Sequence, residues 1–302
     1  MCNRVMPALA ATVLFVLIFA VLRPAEVTGQ EFGQVYVEVL DGSGQPVADL
    51  TSADFIVTED DVEMTVVEAE IDRSPMRIAL LVDHGHQMNQ ANATNPLRSA
   101  LAGFLDTLPP QHEVTLYTIA GNIRRLVDFT TDRGELKDGV GLIFTEGGSG
   151  PVFYDSLKET WERRFEDEEP FPVFVAVLSD GNESSGNRWR REDSFIELID
   201  MLVSNRIMVH TVMLETRGGN QLSSVGRQLA EITGGVFENI NSATGLPDVL
   251  MSLAKRIGDH FDQVSNRYTV VYQRPGQAGA RVTLRLNRSG VGVRLFPDRR
   301  MQ

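Results

Sequence analysis

Two apolar runs in this sequence end on an aspartate. Leu80-Leu81-Val82 leads into Asp83, and the run 173–178 leads through Ser179 into Asp180. If both runs are strands of one sheet, two carboxylates arrive at one sheet edge, in outline a site for a hard divalent cation such as Mg²⁺ or Ca²⁺. An aspartate in that place equally caps the turn or helix that follows. His84 and His86 add a His-x-His beside Asp83. Imidazole with carboxylate suits a softer ion such as Zn²⁺, but the spacing supplies no third ligand, so two loop histidines are the simpler reading. Gly147-Gly148-Ser149-Gly150 lacks the Gly-Lys-Ser/Thr ending of a phosphate loop and the second flanking glycine of a nucleophile elbow. It reads as a loop entering a helix over 152–165. The main basic cluster, Arg188-Trp189-Arg190-Arg191, follows Asp180 closely. It reads as an exposed helix start with Trp189 partly packed, or as a contact for a partner. The acidic run 166–169 reads as a solvated loop. Spacing pairs no nucleophile with a base.

These residues need a scaffold, and the chain changes texture twice to provide one. Over 76–261 near-continuous apolar runs (78–82, 114–119, 173–178, 207–214) alternate with helical patterns. Phe195, Ile199, Leu202 and Val203 share one helical face; Val225, Leu229 and Ile232 share another, ended by Gly234-Gly235; Val249, Leu250, Leu253, Ile257 and Phe261 share a third. Strands without polar alternation are buried on both faces, so this is a doubly wound, mostly parallel α/β sheet. The stretch 123–129, just after Gly121-Asn122, is expected to turn back as an antiparallel edge strand.

Both flanks are β in character. Val35, Val37 and Val39 alternate with their neighbours, Asp41-Gly42-Ser43-Gly44 is a turn, and Glu59-Asp60-Asp61 joins the strands of a hairpin. After Tyr268, Val282, Leu284 and Leu286 alternate, as do Val291, Val293 and Leu295. Each flank alone buries too little surface to stand by itself. The two are therefore expected to complete one small sandwich, as residues 30–74 and 265–302, around an inserted domain over 75–264.

Residues 1–29 read as an export address: Arg4, then an apolar run over 8–22 interrupted only by Thr12, with small residues before Gln30. The run is shorter than the roughly 20 residues that span a bilayer, which suits a cleaved signal. With Arg23 directly after it, an uncleaved membrane anchor is the alternative. The 302 residues carry 28 Lys+Arg against 41 Asp+Glu, a net charge of −13, which excludes a general nucleic-acid binder. The single cysteine excludes a disulfide framework.

Three stretches together resemble the von Willebrand factor type A (VWA) domain: Leu80 to Met88 around Asp83-His84-Gly85-His86-Gln87, Gly147 to Asp155, and Leu178-Ser179-Asp180-Gly181. The flanks, Asp54-Phe55 followed by Glu59-Asp60 and later Tyr268-Thr269-Val270-Val271-Tyr272, resemble the VWFA-related proteins of bacteria. The resemblance implies an adhesion site where an Asp-x-Ser-x-Ser motif, a distant Thr and a further Asp hold a divalent cation, one position staying open for a partner's carboxylate. Carried over, the first Asp is Asp83 and the last is Asp180. The serines fall on Gly85 and Gln87, and the Thr on Pro151, or on Ser149 with a shifted loop. Both serine hydroxyls are gone. The resemblance therefore implies an exported, non-enzymatic protein that binds another protein at the sheet rim through a degenerate site, with no cofactor needed. His84, His86, Arg188, Trp189 and Arg190 are the candidate partner contacts. The alternative is a divalent-metal binding or metalloenzyme site using Asp83, Asp180 and His84 or His86. A third reading leaves the rim inert and gives assembly to the β platform. Membrane contact is expected only through an uncleaved N-terminal segment.

Overall fold

Each apolar run of the central region becomes a strand with both faces buried. A computed structural model of the chain describes residues 31–165, 171–186, 189, 192–216, 221–274, 281–299 and 301. Its α/β unit holds strands β4 (Met76–Val82), β5 (Glu113–Thr118), β6 (Arg124–Thr130), β7 (Phe171–Ser179), β8 (Met208–Leu214) and β9 (Phe237–Ile240), in spatial order β6-β5-β4-β7-β8-β9. All pairs are parallel except β5–β6, where the turn at Gly121 sends β6 back along the edge. Every residue of β7 and β8 is buried, because helices cover both faces. On one face lie α2 (Thr94–Thr107), α3 (Arg133–Gly141) and α7 (Leu246–Val264); they meet Ile78, Leu80, Val173 and Val175. On the other lie α4 (Phe153–Arg164), α5 (Glu192–Ser204) and α6 (Gln221–Thr233); they meet Ala79, Leu81, Phe174 and Ala176. The two-residue period of the strands thus divides one sheet between two cores.

The helices α2 and α3, the short α1 (His86–Gln90) and β9 add to the elements read from sequence. In α2, Leu97, Ala100, Leu101, Phe104 and Leu105 are buried at helical spacing, and Pro96 sits in the first turn, where its missing N–H costs nothing.

The α/β unit is inserted in a small all-β sandwich made by both chain ends. Its strands are β1 (Glu31–Asp41), β2 (Phe55–Glu59), β3 (Val62–Ile71), β10 (Tyr268–Arg274), β11 (Val282–Leu286) and β12 (Val291–Phe296), in order β11-β2-β3-β10-β1-β12, all antiparallel. β1 pairs only with β10 and β12, so the N-terminal segment has its neighbours at the far end of the chain. β3 pairs with β2 through Val62–Met64 and with β10 through Thr65–Ile71, with a bulge at Val67 opposite Val271 and Tyr272. Asp60 and Asp61 both take positive φ, 47° and 66°, the left-handed pair that a two-residue hairpin turn requires. Val37, Val39, Val57, Val270 and Tyr272 fill the core between the layers.

The sandwich meets the base of the α/β sheet through arginines. Arg206 donates to Gln34 Oε1 at 2.9 Å and to the Tyr36 hydroxyl at 2.7 Å. Arg299 pairs with Asp72 and stacks between Tyr36 and Phe171. Arg267 lies 3.5 Å over the Phe296 ring. The export segment 1–29, the acidic run 166–169, and Arg188, Arg190 and Arg191 lie outside the described residues. No helix among the described residues is long and apolar enough to cross a membrane.

Candidate functional site

The parallel neighbours β4 and β7 carry Asp83 and Asp180 to the same rim of the sheet. Asp83 is fully buried and links the two strand ends. Its Oδ1 accepts from Gly85 N at 2.8 Å; its Oδ2 accepts from Ser179 N at 3.1 Å and from Ser179 Oγ. Burial pushes the Asp83 carboxyl above its usual range, against the pull of these hydrogen bonds. Ser179 Oγ thus serves a carboxylate, not a histidine. Asp180, also buried, makes the equivalent link to the loop after β8: Oδ2 accepts from Thr216 N at 2.8 Å and Oδ1 from Thr216 Oγ1 at 3.0 Å.

Above these carboxylates the rim loops are joined backbone to backbone. His86 N donates to Ser149 O at 2.8 Å, Glu146 N to His84 O at 2.8 Å, Gly121 N to Gly150 O at 2.9 Å and Ser184 N to Pro151 O at 2.7 Å. Two glycines make this approach possible. A Cβ on Gly85 would overlap the Ser149 carbonyl oxygen, and one on Gly150 would overlap that of Asn182. Where the resemblance implies a serine side chain, a main-chain carbonyl fills the space.

Between the loops remains a cleft of about 340 Å³. His86, Gln87, Ser149, Ser179, Asn182 and Ser184 line it, with glycine backbone between them; Asp83 and Asp180 do not. Gln87 lies with its Cγ in contact range of a Cβ built on Gly181, and its Oε1 is buried with no hydrogen-bond partner. His86 is exposed. His84 is half-buried; its Nδ1 accepts from Ala120 N at 3.4 Å and its Nε2 lies 3.7 Å from Glu146 Oε1. Burial holds the His84 ring below its ordinary pKa, with Glu146 opposing.

Trp189 is the one described member of the basic cluster. Its Nε1 donates to Asp155 Oδ1 at 2.8 Å and its ring lies 5.7 Å from that of Tyr154. It belongs to a clamp that sequence reading missed. Gly186 N donates to Asp155 Oδ2 at 2.8 Å, Asp155 N to Ser185 Oγ at 3.1 Å, and Glu183 accepts from Tyr154 N at 3.4 Å and Ser185 N at 2.9 Å. Loop 182–186 so caps the first turn of α4. The available signal was Asp155 in that first turn, where a carboxylate favours the helix dipole.

A hard cation needs oxygen donors turned toward it. Here both oxygens of Asp83 and of Asp180 accept internal hydrogen bonds, and the positions of the two motif serines hold Gly85 and Gln87. Among the described residues no group of three or more His, Cys, Asp or Glu gathers around one point. These donors do not fit the octahedral site that the resemblance implies.

Comparison with known structures decides the fold. A von Willebrand factor type A structure from Catenulispora acidiphila is similar with a TM-score of 0.51 at 12% identity, over 76% of this chain and 50% of that one. The chain carries the VWA fold. Proximal thread matrix protein 1 from the mussel byssus, with a zinc-occupied MIDAS motif, is similar with a TM-score of 0.50 at 15% identity, over 71% of this chain and 50% of that one. The chain thus matches about half the length of each. No protein-family model and no curated protein matches the sequence. In this VWA fold the cleft lies at the carboxyl ends of the parallel strands, where open α/β sheets bind ligands.

Proposed function

We propose that this VWA domain belongs to an exported, non-enzymatic protein that binds another protein at the rim cleft without a cation. The carrying observation is the Gly85–Ser149 approach, which fills with a main-chain carbonyl the space where the resemblance implies a serine. Hydrogen bonds between His86 and Ser149, and between Gly121 and Gly150, do the joining of loops that a bound ion would otherwise do. His86 lines this cleft, and Arg188, Trp189 and Arg190, which follow Asp180 in sequence, are the other candidate contacts. Export rests on the apolar segment before residue 30. Zinc occupies the motif of the mussel protein, so the direct test is calorimetric titration of the full chain with Mg²⁺, Mn²⁺ and Zn²⁺. The expected result is no saturable heat that Asp83→Ala removes. Micromolar binding lost in Asp83→Ala overturns the cation-free reading, and Zn²⁺ binding lost in His84→Ala does the same.

A further inference from the structure

We infer that the sandwich carries a second interaction surface: the free edge of β11 takes an extended segment of a partner protein as an added strand, apolar at alternate positions and acidic between them. The sandwich sheet runs β11-β2-β3-β10-β1-β12, so β11 pairs only with β2 and β12 only with β1. Residues 287–290 join these two end strands, whose inward side chains line one core, yet no ladder closes them. Among the described residues the outer side of each is unpaired backbone. Such an edge is normally blunted by a proline, a bulge or an inward-pointing charge. β6, an end strand of the α/β sheet, is blunted in this way: its register shifts twice against β5. β11 and β12 have an unbroken register and no proline, and the one charge on each, Arg285 and Arg294, points away from the core.

The core is open at this edge. Leu284 and Leu286 pair with Val57 and Phe55, and Val293 pairs with Val39, so all three face inward. One strand further in, Val39 and Val57 are 0% exposed, whereas Val293 is 39% exposed and Leu284 and Leu286 are half-buried. A strand added to β11 lays its inward side chains over Leu284 and toward Val293. The outward positions set the charge. The stretch 281–299 holds Arg281, Arg285, Arg288, Arg294 and Arg299 against Asp298 alone, in a chain of net charge −13. Arg288 meets Asp49 and Arg294 meets Glu38. Arg285 is exposed beside Ile56 of β2, and among the described residues it has no ion-pair partner. The nearest acids stand at the end of β11, where Asp60 Oδ1 accepts from Arg281 N, and two strands away, where Glu63 lies beyond Thr58. An outward glutamate of the added strand next to Arg285 makes an opposite-charge cross-strand pair. Main-chain bonds supply the attachment and the alternate side chains the selectivity. A second copy of this chain would bring the same arginines edge to edge, so the charge favours a different protein.

The test adds a short end-capped peptide alternating valine and glutamate to the isotope-labelled full chain and follows amide exchange by NMR. Two controls accompany it: the same peptide with lysine for glutamate, and the glutamate peptide with alternate amides N-methylated. The glutamate peptide is expected to slow exchange across 282–286 and to leave the rim loops unchanged. Arg285→Glu, an outward and exposed substitution, is expected to weaken it by about tenfold and to admit the lysine peptide. Equal binding of the lysine peptide to the unaltered chain, or indifference to Arg285→Glu, overturns the acidic partner. Equal binding of the methylated peptide overturns strand addition. Protection of the β11 edge before any peptide is added overturns the inference as well: protection lost on dilution gives the edge to a second copy, and protection kept gives it to another segment of this chain. No slowing by any of the peptides at about millimolar concentration overturns the surface itself.

Discussion

The two ends of the central sheet hold charge of opposite sign. At the rim the buried ions are carboxylates, Asp83 and Asp180, and main-chain and hydroxyl donors from the next strand or loop surround them. At the base the charged groups are guanidiniums, of which Arg267 is buried, Arg299 half-buried and Arg206 exposed. Arg299, Arg267 and Arg206 lie against Phe171, Phe296 and Tyr36, and neutral histidines stand behind them. His112, His210 and His260 are buried, and burial holds them near pKa values of about 4, about 3 and about 4. The difference follows from what each end must do. Carboxylates held by N–H groups stiffen the loops beneath an open cleft, whereas planar cations on rings join two separately built units.

The comparison breaks most visibly at Asp83. Asp83→Ala leaves Gly85 N, Ser179 N and Ser179 Oγ without their acceptor, and the expected loss is about 3–5 kcal/mol in urea unfolding. A loss under about 1 kcal/mol means the rim is not built around this carboxylate.

Acid separates the two ends next. A buried histidine with a lowered pKa is neutral when folded and protonated when unfolded, so its contribution is whole above pH 6.5 and falls as pH drops toward the folded value. Each of the three is expected to cost about 2–3 kcal/mol of unfolding free energy between pH 7.5 and 4.5. Asp83 and Glu183 are raised, so they act with the opposite sign: their penalty grows as pH rises above the carboxylate range. Met76 N donates to His112 Nδ1 at 3.1 Å, which an asparagine oxygen can replace. His112→Asn is therefore expected to flatten the acid slope by one histidine's share; an unchanged slope would place the acid sensitivity elsewhere.

Arg299→Ala removes the pair with Asp72 and both stacking contacts, at an expected cost of about 2 kcal/mol. Faster hydrogen exchange should appear in β1 and at Phe171 while the rim amides stay protected. Uniform loss of protection would mean that base and rim unfold as one. The smallest effect is expected at Trp189→Phe, which keeps the ring against Tyr154 and loses the bond to Asp155, about 1 kcal/mol. Exchange should rise at Ser185 and Gly186, and protection unchanged there would show that the loop is held without the indole.

Much of the scaffold was legible because burial writes its period into the residues. The runs before Asp83 and Asp180, the edge strand after Gly121 and the helix after Gly150 all follow from apolar spacing and turn chemistry. α2 had a clear helical spacing, but Asn92-Ala93-Thr94-Asn95-Pro96 at its start has the composition of a turn. β9 has four residues, one of them Glu238, too short for a period to show. The partners within the site were not legible. Thr216 on Asp180, Glu183 on the first turn of α4 and Glu146 beside His84 are pairings across loops, and no spacing rule links them.

By itself the sequence determined that a two-sided parallel sheet carries two aspartates to one rim, and that the hydroxyls flanking the first of them are missing. Strand burial and residue identity are local facts, and local facts survive in a linear text. Tertiary structure alone decided that β3 divides its pairing between β2 and β10, that the Ser149 carbonyl closes over Gly85, and that Gln87 is left with an unanswered acceptor. Those outcomes depend on where separate loops meet in space, which is set by the packing of the whole sheet and its helices.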